Sequence, residues 1–244
     1  MALSEHIIIL LYHHIAEPPP NAGVRGLYVT KGQFRKQLAW MLKNGFTFTT
    51  FHELAAGRAE SPNPTVILTF DDGHLDNYTH GFPVFKEFQV PAIIFPVVGD
   101  IGKRNLSWED ANKCPVNLMT VEQIQEMAKW GVEFGSHLMR HVRLGHIEQS
   151  TGRRELSESK KRLELITGQT VRTIAYPFGD VNPKIHQAAQ KAGYQFGVTC
   201  EPGIATPEKP PLLLPRNVVK GSKWYHPIKF KRMMQTFKQQ VERS

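Results

Sequence analysis

Only two cysteines, Cys114 and Cys200, occur in 244 residues. That is too few to staple a domain of this size, so a disulfide framework is excluded and both read as partly buried thiols. No window approaches the roughly 18 consecutive apolar residues of a membrane-crossing helix. Internal repeats and low-complexity linkers are also missing, and the proline-rich pieces Pro18–Pro20 and Pro207–Pro211 are of loop length. The start lacks the basic stretch of a secretory leader: Glu5 and His6 precede the apolar run, and Tyr12-His13-His14 cuts it short. The run reads as a first buried strand, and a cytoplasmic location is expected. Acidic residues are in deficit, 22 Asp and Glu against 30 Lys and Arg, giving a formal charge of +8. Such an excess favours anionic surfaces or polymers but says nothing about fold. No motif beyond it supports nucleic-acid binding, which is not expected.

What is present is an alternation. Hydrophobic residues make up 41% of the chain, enough for a sizeable core. Strands are predicted at Ile7–Tyr12, Thr47–Thr50, Val66–Phe70, Ala92–Val97, Val132–Gly135, Thr173–Tyr176, Phe196–Thr199 and Leu212–Pro215. Most are apolar without a break, as in strands buried on both faces of a parallel sheet. Helices are predicted at Gln33–Lys43, Gly81–Phe88, Val121–Lys129, Gly152–Thr167 and Pro183–Ala192. Thr120 followed by Glu122 and Gln123, and Asn182-Pro183, read as helix starts. The last segment, Pro227–Val241, sets Ile228, Phe230, Met233, Met234 and Phe237 among Lys229, Lys231, Arg232 and Lys238. It fits a terminal helix packed on the domain better than a membrane-surface helix. The whole predicts one α/β domain over residues 1–244 with parallel strands.

Three strand ends carry unusual residues. The run Val66–Phe70 passes into Asp71-Asp72-Gly73. Side chains of neighbouring strand residues point to opposite faces, so two carboxylates converge only where a strand ends, and Gly73 permits that exit. Read alone, the piece is also a plain Asp-Gly turn. After Val132–Gly135 comes Ser136-His137-Leu138-Met139-Arg140-His141. Histidines four apart share one face of a helical turn, close enough for one ion, although a solvated face has the same spacing. Third is Ile174-Ala175-Tyr176-Pro177-Phe178-Gly179-Asp180, otherwise a simple strand-to-turn exit. In α/β folds the C-terminal strand ends line the active site.

Together, Thr69-Phe70-Asp71-Asp72-Gly73, the pair His137 and His141 with Leu144 following, and Tyr176-Pro177-Phe178-Gly179 resemble the first three motifs of polysaccharide deacetylases, the NodB-like carbohydrate esterase group. The likeness continues through Asp76-Asn77-Tyr78, Phe82-Pro83 and Val90–Phe95. It implies an irregular (β/α) barrel of the seven-stranded type. It implies a divalent metal, zinc before nickel or cobalt, on Asp72, His137 and His141, with Asp71 as general base and the Phe178 amide holding the oxyanion. The implied reaction is removal of N-acetyl groups from a carbohydrate.

Two departures accompany the resemblance. The family's arginine before the third motif's aromatic is replaced by Ala175, and no C-terminal Leu-x-His follows Gly179. Leu11-Tyr12-His13-His14-Ile15 instead resembles the rearranged branch that includes poly-N-acetylglucosamine deacetylases, in which the acid histidine is N-terminal. The acid is therefore expected at His13, with His14 and His226 in reserve. Arg216, after Leu212–Pro215, could replace the missing arginine by pairing with Asp71. Tyr78, Trp108 and Tyr176 are candidate sugar contacts. Alternatives are a metal-dependent amidase or deformylase acting on a small or lipid-linked amide, and a non-catalytic sugar-binding domain.

Overall fold

The central strands β1 (Ile7–Tyr12) and β3 (Thr65–Asp72) are buried at every position, which is why their apolarity is continuous rather than alternating. They belong to a computed structural model that describes residues 3, 5–58, 61–105, 115–221, 223 and 225–243. The other strands are β2 (Thr47–Phe48), β4 (Ile93–Pro96), β5 (Glu133–Phe134), β6 (Thr173–Ala175), β7 (Phe196–Val198) and β8 (Asn217–Val218). Between them run α1 (Lys31–Lys43), α2 (Phe51–Ala55), α3 (Phe82–Phe88), α4 (Val121–Trp130), α5 (Gln149–Thr167), α6 (Pro183–Lys191) and the terminal α7 (His226–Val241).

Every ladder between these strands is parallel. One sheet has the order β5-β4-β3-β1-β8, with β2 against the start of β3, and a second pairs β6 with β7. Single bridges join Ser136 to Ile174 and Val198 to Leu214. Parallel strands deliver their C-terminal ends to one face, where Tyr12, Asp72, Ala175 and Val218 each hand the chain to a loop.

Two buried clusters hold the layers together. One packs Phe34, Leu38, Phe85, Ile124 and Leu156 of the helices on Tyr12, Phe70 and Ile94 of the strands. Within it, Tyr12 stacks on Phe70 with ring centroids 5.1 Å apart. Full burial of each such side chain contributes roughly 1.5–3 kcal/mol. The other gathers Ile9, Ile67, Phe95, Ala175 and Val198 from the opposite strand faces, together with Leu214.

Helix starts follow local chemistry. Thr120 and Gln123 form a reciprocal capping box, and Asn182 accepts from the amides of Lys184 and Ile185. α7 packs on α1 through Phe230 against Trp40 and Lys238 donating to the Asn44 carbonyl at 2.7 Å. Two expectations need correction. Leu212–Pro215 is no strand: only Leu214 bridges Val198, and the ladder to β1 forms later at Asn217–Val218. Pro211 and Pro215 lack the N–H that a ladder needs. The sequence reading also missed α2, whose five residues are too few to show a period; Thr50 starts it by accepting from the Glu53 amide.

Candidate active site

β3 ends in the two aspartates. Asp72 and Gly73 both sit at φ +76°, a left-handed turn that breaks strand alternation and turns Asp72 back beside Asp71. A Cβ on Gly73 would lie 2.8 Å from the Pro96 Cβ, so only glycine fits against the end of β4. Asp71 receives a fork from Arg216, Nη1 donating to Oδ1 at 2.6 Å and Nη2 to Oδ2 at 2.7 Å. Arg216 is fully buried, and its Nε donates to the Thr199 carbonyl at 2.8 Å. Burial raises the Asp71 carboxyl, but the charge of the Arg216 guanidinium, hydrogen-bonded to it, outweighs that and holds the group below its ordinary range. Ala175, where an arginine was expected on family grounds, packs in the interior cluster.

Asp72 faces the histidines. Its Oδ1 lies 3.4 Å from His137 Nε2 and 3.6 Å from His141 Nε2. One ligand atom from each of the three residues falls within 4.8 Å of the others. His137 commits its Nδ1–H to the Ala175 carbonyl at 2.7 Å, so Nε2 is the nitrogen that faces Asp72, and in the neutral ring it presents a lone pair there. Among the described residues, Asp72 Oδ1 is buried without a hydrogen-bond partner. An orphaned carboxylate oxygen opposed by an imidazole lone pair is what a cation satisfies, so the residues fit a divalent metal. Burial lowers His141 to about 4, which keeps its ring neutral and able to donate electrons.

The two histidines do not share a helical turn, contrary to the spacing argument. Residues 137–141 form an irregular loop after β5, with Leu138 at φ +67°. The convergence comes from anchors. The Leu138 amide donates to Ser136 Oγ at 3.1 Å, and Ser136 donates to Ser159 of α5 at 2.8 Å. The amides of Met139 and Arg140 both donate to Glu155 Oε2 at 3.0 Å, and Arg140 Nε donates to Oε1 at 2.6 Å. Glu155, buried on α5, thus grips the segment between the histidines from behind. Nothing in the sequence separates it from the other charged residues of a polar helix.

His13 and His14 leave β1 on the same face. His13 Nδ1 is buried and has no hydrogen-bond partner among the described residues. Burial lowers its pKa, while the charges of Asp72 and Asp71 pull it the other way. His14 is bound into a different assembly. Its Nδ1 pairs with Asp76 at 2.7 Å, and its ring lies between Tyr28, at 4.0 Å, and His74, at 3.7 Å. His74 Nε2 lies 3.1 Å from Asp72 Oδ2, so this stack braces the second oxygen of the aspartate. Its presence directly after Gly73 was the available signal. His226 is engaged elsewhere, its Nδ1 accepting from the Lys223 amide at the start of α7.

Phe178 adopts φ +61° in the turn after β6, and its ring packs 4.6 Å from that of His141. The turn's two backbone bonds come from Gly179 and Asp180, leaving the Phe178 amide outside them. Tyr176 is corrected: it is fully buried in the core and cannot meet a sugar. Tyr78 donates to Glu126 at 2.6 Å and stacks on Phe82, which makes it a link between α4 and the start of α3. Trp108 and Cys114 lie outside the described residues.

A family model described as polysaccharide deacetylase matches residues 58–197, more than half of the chain and the stretch that carries all three motifs. The chain belongs to the polysaccharide deacetylase family. YxkH of Bacillus subtilis (strain 168), named for polysaccharide deacetylase, is 33% identical over 201 residues, 81% of this chain and 66% of that protein. The chain therefore spans about two thirds of that relative's length. The poly-β-1,6-N-acetyl-D-glucosamine N-deacetylase of Staphylococcus aureus (strain MRSA252) is 25% identical over 217 residues, 84% of this chain and 72% of that one. Among solved structures, the Streptococcus pyogenes deacetylase PplD in complex with acetate superposes with a TM-score of 0.79 at 29% identity, covering 95% of this chain and 98% of that one. The fold of this polysaccharide deacetylase is α/β with parallel strands, and the Asp72, His137 and His141 group stands at their C-terminal ends.

Proposed function

We propose that this protein is a metal-dependent hydrolase that removes N-acetyl groups from N-acetylhexosamine units of a polysaccharide or glycoconjugate, releasing acetate. The observation that carries the reading is the orphaned Asp72 Oδ1 facing two imidazoles, one residue from an aspartate forked by a buried arginine. A plain sugar-binding module has no use for a base held in that way. The name of the S. aureus relative supplies the substrate class, and the S. pyogenes structure, a deacetylase in complex with acetate, fits the product.

Asp72, His137 and His141 would hold the cation, zinc being the first choice for two imidazoles and a carboxylate. When bound, such a cation lowers the pKa of water to about 7 and polarises a carbonyl. The chain's own groups do the rest. Asp71, kept ionised by Arg216, accepts a proton from the attacking water. The Phe178 amide donates to the oxygen on which negative charge develops. His13, whose buried Nδ1 has no partner among the described residues, delivers a proton to the departing sugar amine, so that amine and acetate leave. His14 does not take this part, since Asp76 and the ring stack hold it. Seven strands, β1 and β3 to β8, linked through the Ser136–Ile174 and Val198–Leu214 bridges, support reading the fold as an irregular seven-stranded (β/α) barrel in a single domain.

The test is acetate release from N-acetylglucosamine oligomers by chelator-stripped protein, before and after zinc, nickel or cobalt is restored. Turnover that returns with metal and is absent in Asp72→Ala supports the reading. Stoichiometric metal binding without acetate release would redirect it to another amide substrate, and absence of metal binding would overturn it.

A further inference from the structure

Beside the start of α7 lies a hollow of about 300 Å³. Lys220, Tyr225, His226 and Lys229 line it, with Phe230 and Met233 as an apolar wall. It belongs to the same end of the sheet as the candidate active site. β8 runs parallel to β1, and the Val219 amide donates to the Leu11 carbonyl at 2.9 Å just before Lys220 leaves the ladder. Gly221 then presses on the Tyr28 segment, where a Cβ would fall 2.5 Å from the Tyr28 carbonyl oxygen. The Tyr28 ring lies flat on His14, itself stacked on the His74 that braces Asp72. Direct packing therefore connects the hollow to the site.

Its charge is of one sign. No acidic residue occurs between Asn217 and Val241. Lys220, Lys223 and Lys229 are all exposed. Among the described residues, the lysines that form ion pairs are Lys103, Lys160 and Lys238, not these three. Lys229 and Lys223 flank the Tyr225 ring, with Nζ 4.7 and 5.8 Å from its centre. All three lysines also converge on His226, whose pKa is lowered by burial first and then by Lys229, Lys220 and Lys223. His226 Nδ1 accepts from the Lys223 amide at 3.1 Å, so Nε2 carries the ring's hydrogen and is a donor. Like charges gathered without counter-charge repel one another, and the arrangement is complementary to an anion. An aromatic face and an apolar wall beside those donors suit a pyranose ring better than a bare ion.

We propose that this hollow is a subsite for an anionic sugar unit, bearing phosphate or carboxylate, of the same glycan whose N-acetyl group is hydrolysed beside Asp71. The proposal rests on the deacetylase reading for its choice of a glycan. It assigns Lys220, Lys229 and His226 to the anionic substituent and Tyr225 to the ring. The neighbouring polymer unit is thereby selected by charge, while the acetamide is selected at the strand ends.

The experiment compares two soluble probes on the metal-loaded full chain, a neutral N-acetylglucosamine tetramer and the same tetramer carrying one phosphate ester. Binding is measured by calorimetry and acetate release in parallel. The phosphorylated tetramer is expected to bind about tenfold tighter at low salt, the effect of a few solvent-facing ion pairs acting together. That advantage should shrink as salt rises and vanish in Lys220→Ala/Lys229→Ala. Equal affinity for the two tetramers, or a preference that survives in the double variant, overturns the proposal. Inorganic phosphate binding as tightly as the phosphorylated tetramer, or lysine-dependent capture on phosphatidylglycerol vesicles without any tetramer preference, overturns it in favour of a free-anion or lipid-surface site. A lysine-dependent preference without acetate release from either tetramer supports the subsite and counts against the deacetylase reading alone.

Discussion

Replacing Arg216 with methionine is the sharpest perturbation of this site. Arg216 is fully buried, and both of its terminal nitrogens are spent on Asp71, at 2.6 and 2.7 Å. Methionine fills similar volume but leaves a buried carboxylate without its counter-charge, a loss of about 3–5 kcal/mol. Arg216→Lys would not rescue it, since a point charge cannot reproduce the two-pronged geometry. In Asp71→Asn/Arg216→Met the charge is gone with its partner, so much of the loss should return, giving a coupling of at least about 2 kcal/mol. The pH dependence has a definite sign. In the wild type Asp71 lies below its ordinary range, so its contribution is present above the unfolded pKa near 4 and lost as pH falls. Without Arg216 the burial effect is opposed less, the carboxyl pKa rises, and the penalty relaxes as pH falls. The gap between wild type and Arg216→Met should therefore be widest near pH 7 and narrow toward pH 4. Urea unfolding of chelator-treated protein measures all of this free of metal linkage. A single-variant cost below about 1 kcal/mol, or a double variant no more stable than the single, would refute the reasoning.

Asp71→Asn should retain stoichiometric metal yet lose turnover by about 10²–10⁴-fold, read from acetate release beside metal content. Glu155→Gln reduces the grip on the Met139 and Arg140 amides, and metal affinity is expected to fall roughly 10–100-fold in a competition titration. Arg140→Ala, which keeps those amides on Glu155, should fall much less; equal losses would remove the anchoring role. Glu133, pushed up to about 7 by burial despite the His52 amide and Thr50, binds its proton more tightly when folded. Stability should thus decline from about pH 4.5 to 7 by about 3 kcal/mol and then level off. Glu133→Gln should abolish that decline, and a gain over wild type that is the same at pH 5 and pH 8 would contradict it.

The elements that the sequence revealed are those whose residues do one thing at a time. β1 and β3 are apolar throughout because both their faces are buried, and α4 and α6 carry their own caps, so their limits could be read within a residue or two. Leu212–Pro215 misled because apolarity records burial, whereas a strand also needs amide hydrogens, which its flanking prolines lack. Tyr176 misled for a related reason: an aromatic beside a motif is as useful to a core as to a sugar, and its residue type does not reveal which way it faces.

The same distinction divides the site. Asp71, Asp72, His137 and His141 were legible because metal and proton chemistry restrict the residue types, and the local sequence displays them at strand ends. Their supports were not, since any buried carboxylate can accept two amides and any histidine can stack. Glu155 reaches the 137–141 loop from a helix that begins after it, and His14 reaches His74 across some sixty residues. Even the His137–His141 pair was found by a spacing whose usual cause, a helical turn, is missing here. What brings the rings together is Leu138 in a left-handed conformation and a carboxylate from α5. A positive φ at a leucine costs of order 1 kcal/mol or more, and it persists because Ser136 and Glu155 take the three amides that follow His137. The protein's own hydrogen bonds at three successive amides therefore hold the loop that presents the two imidazoles.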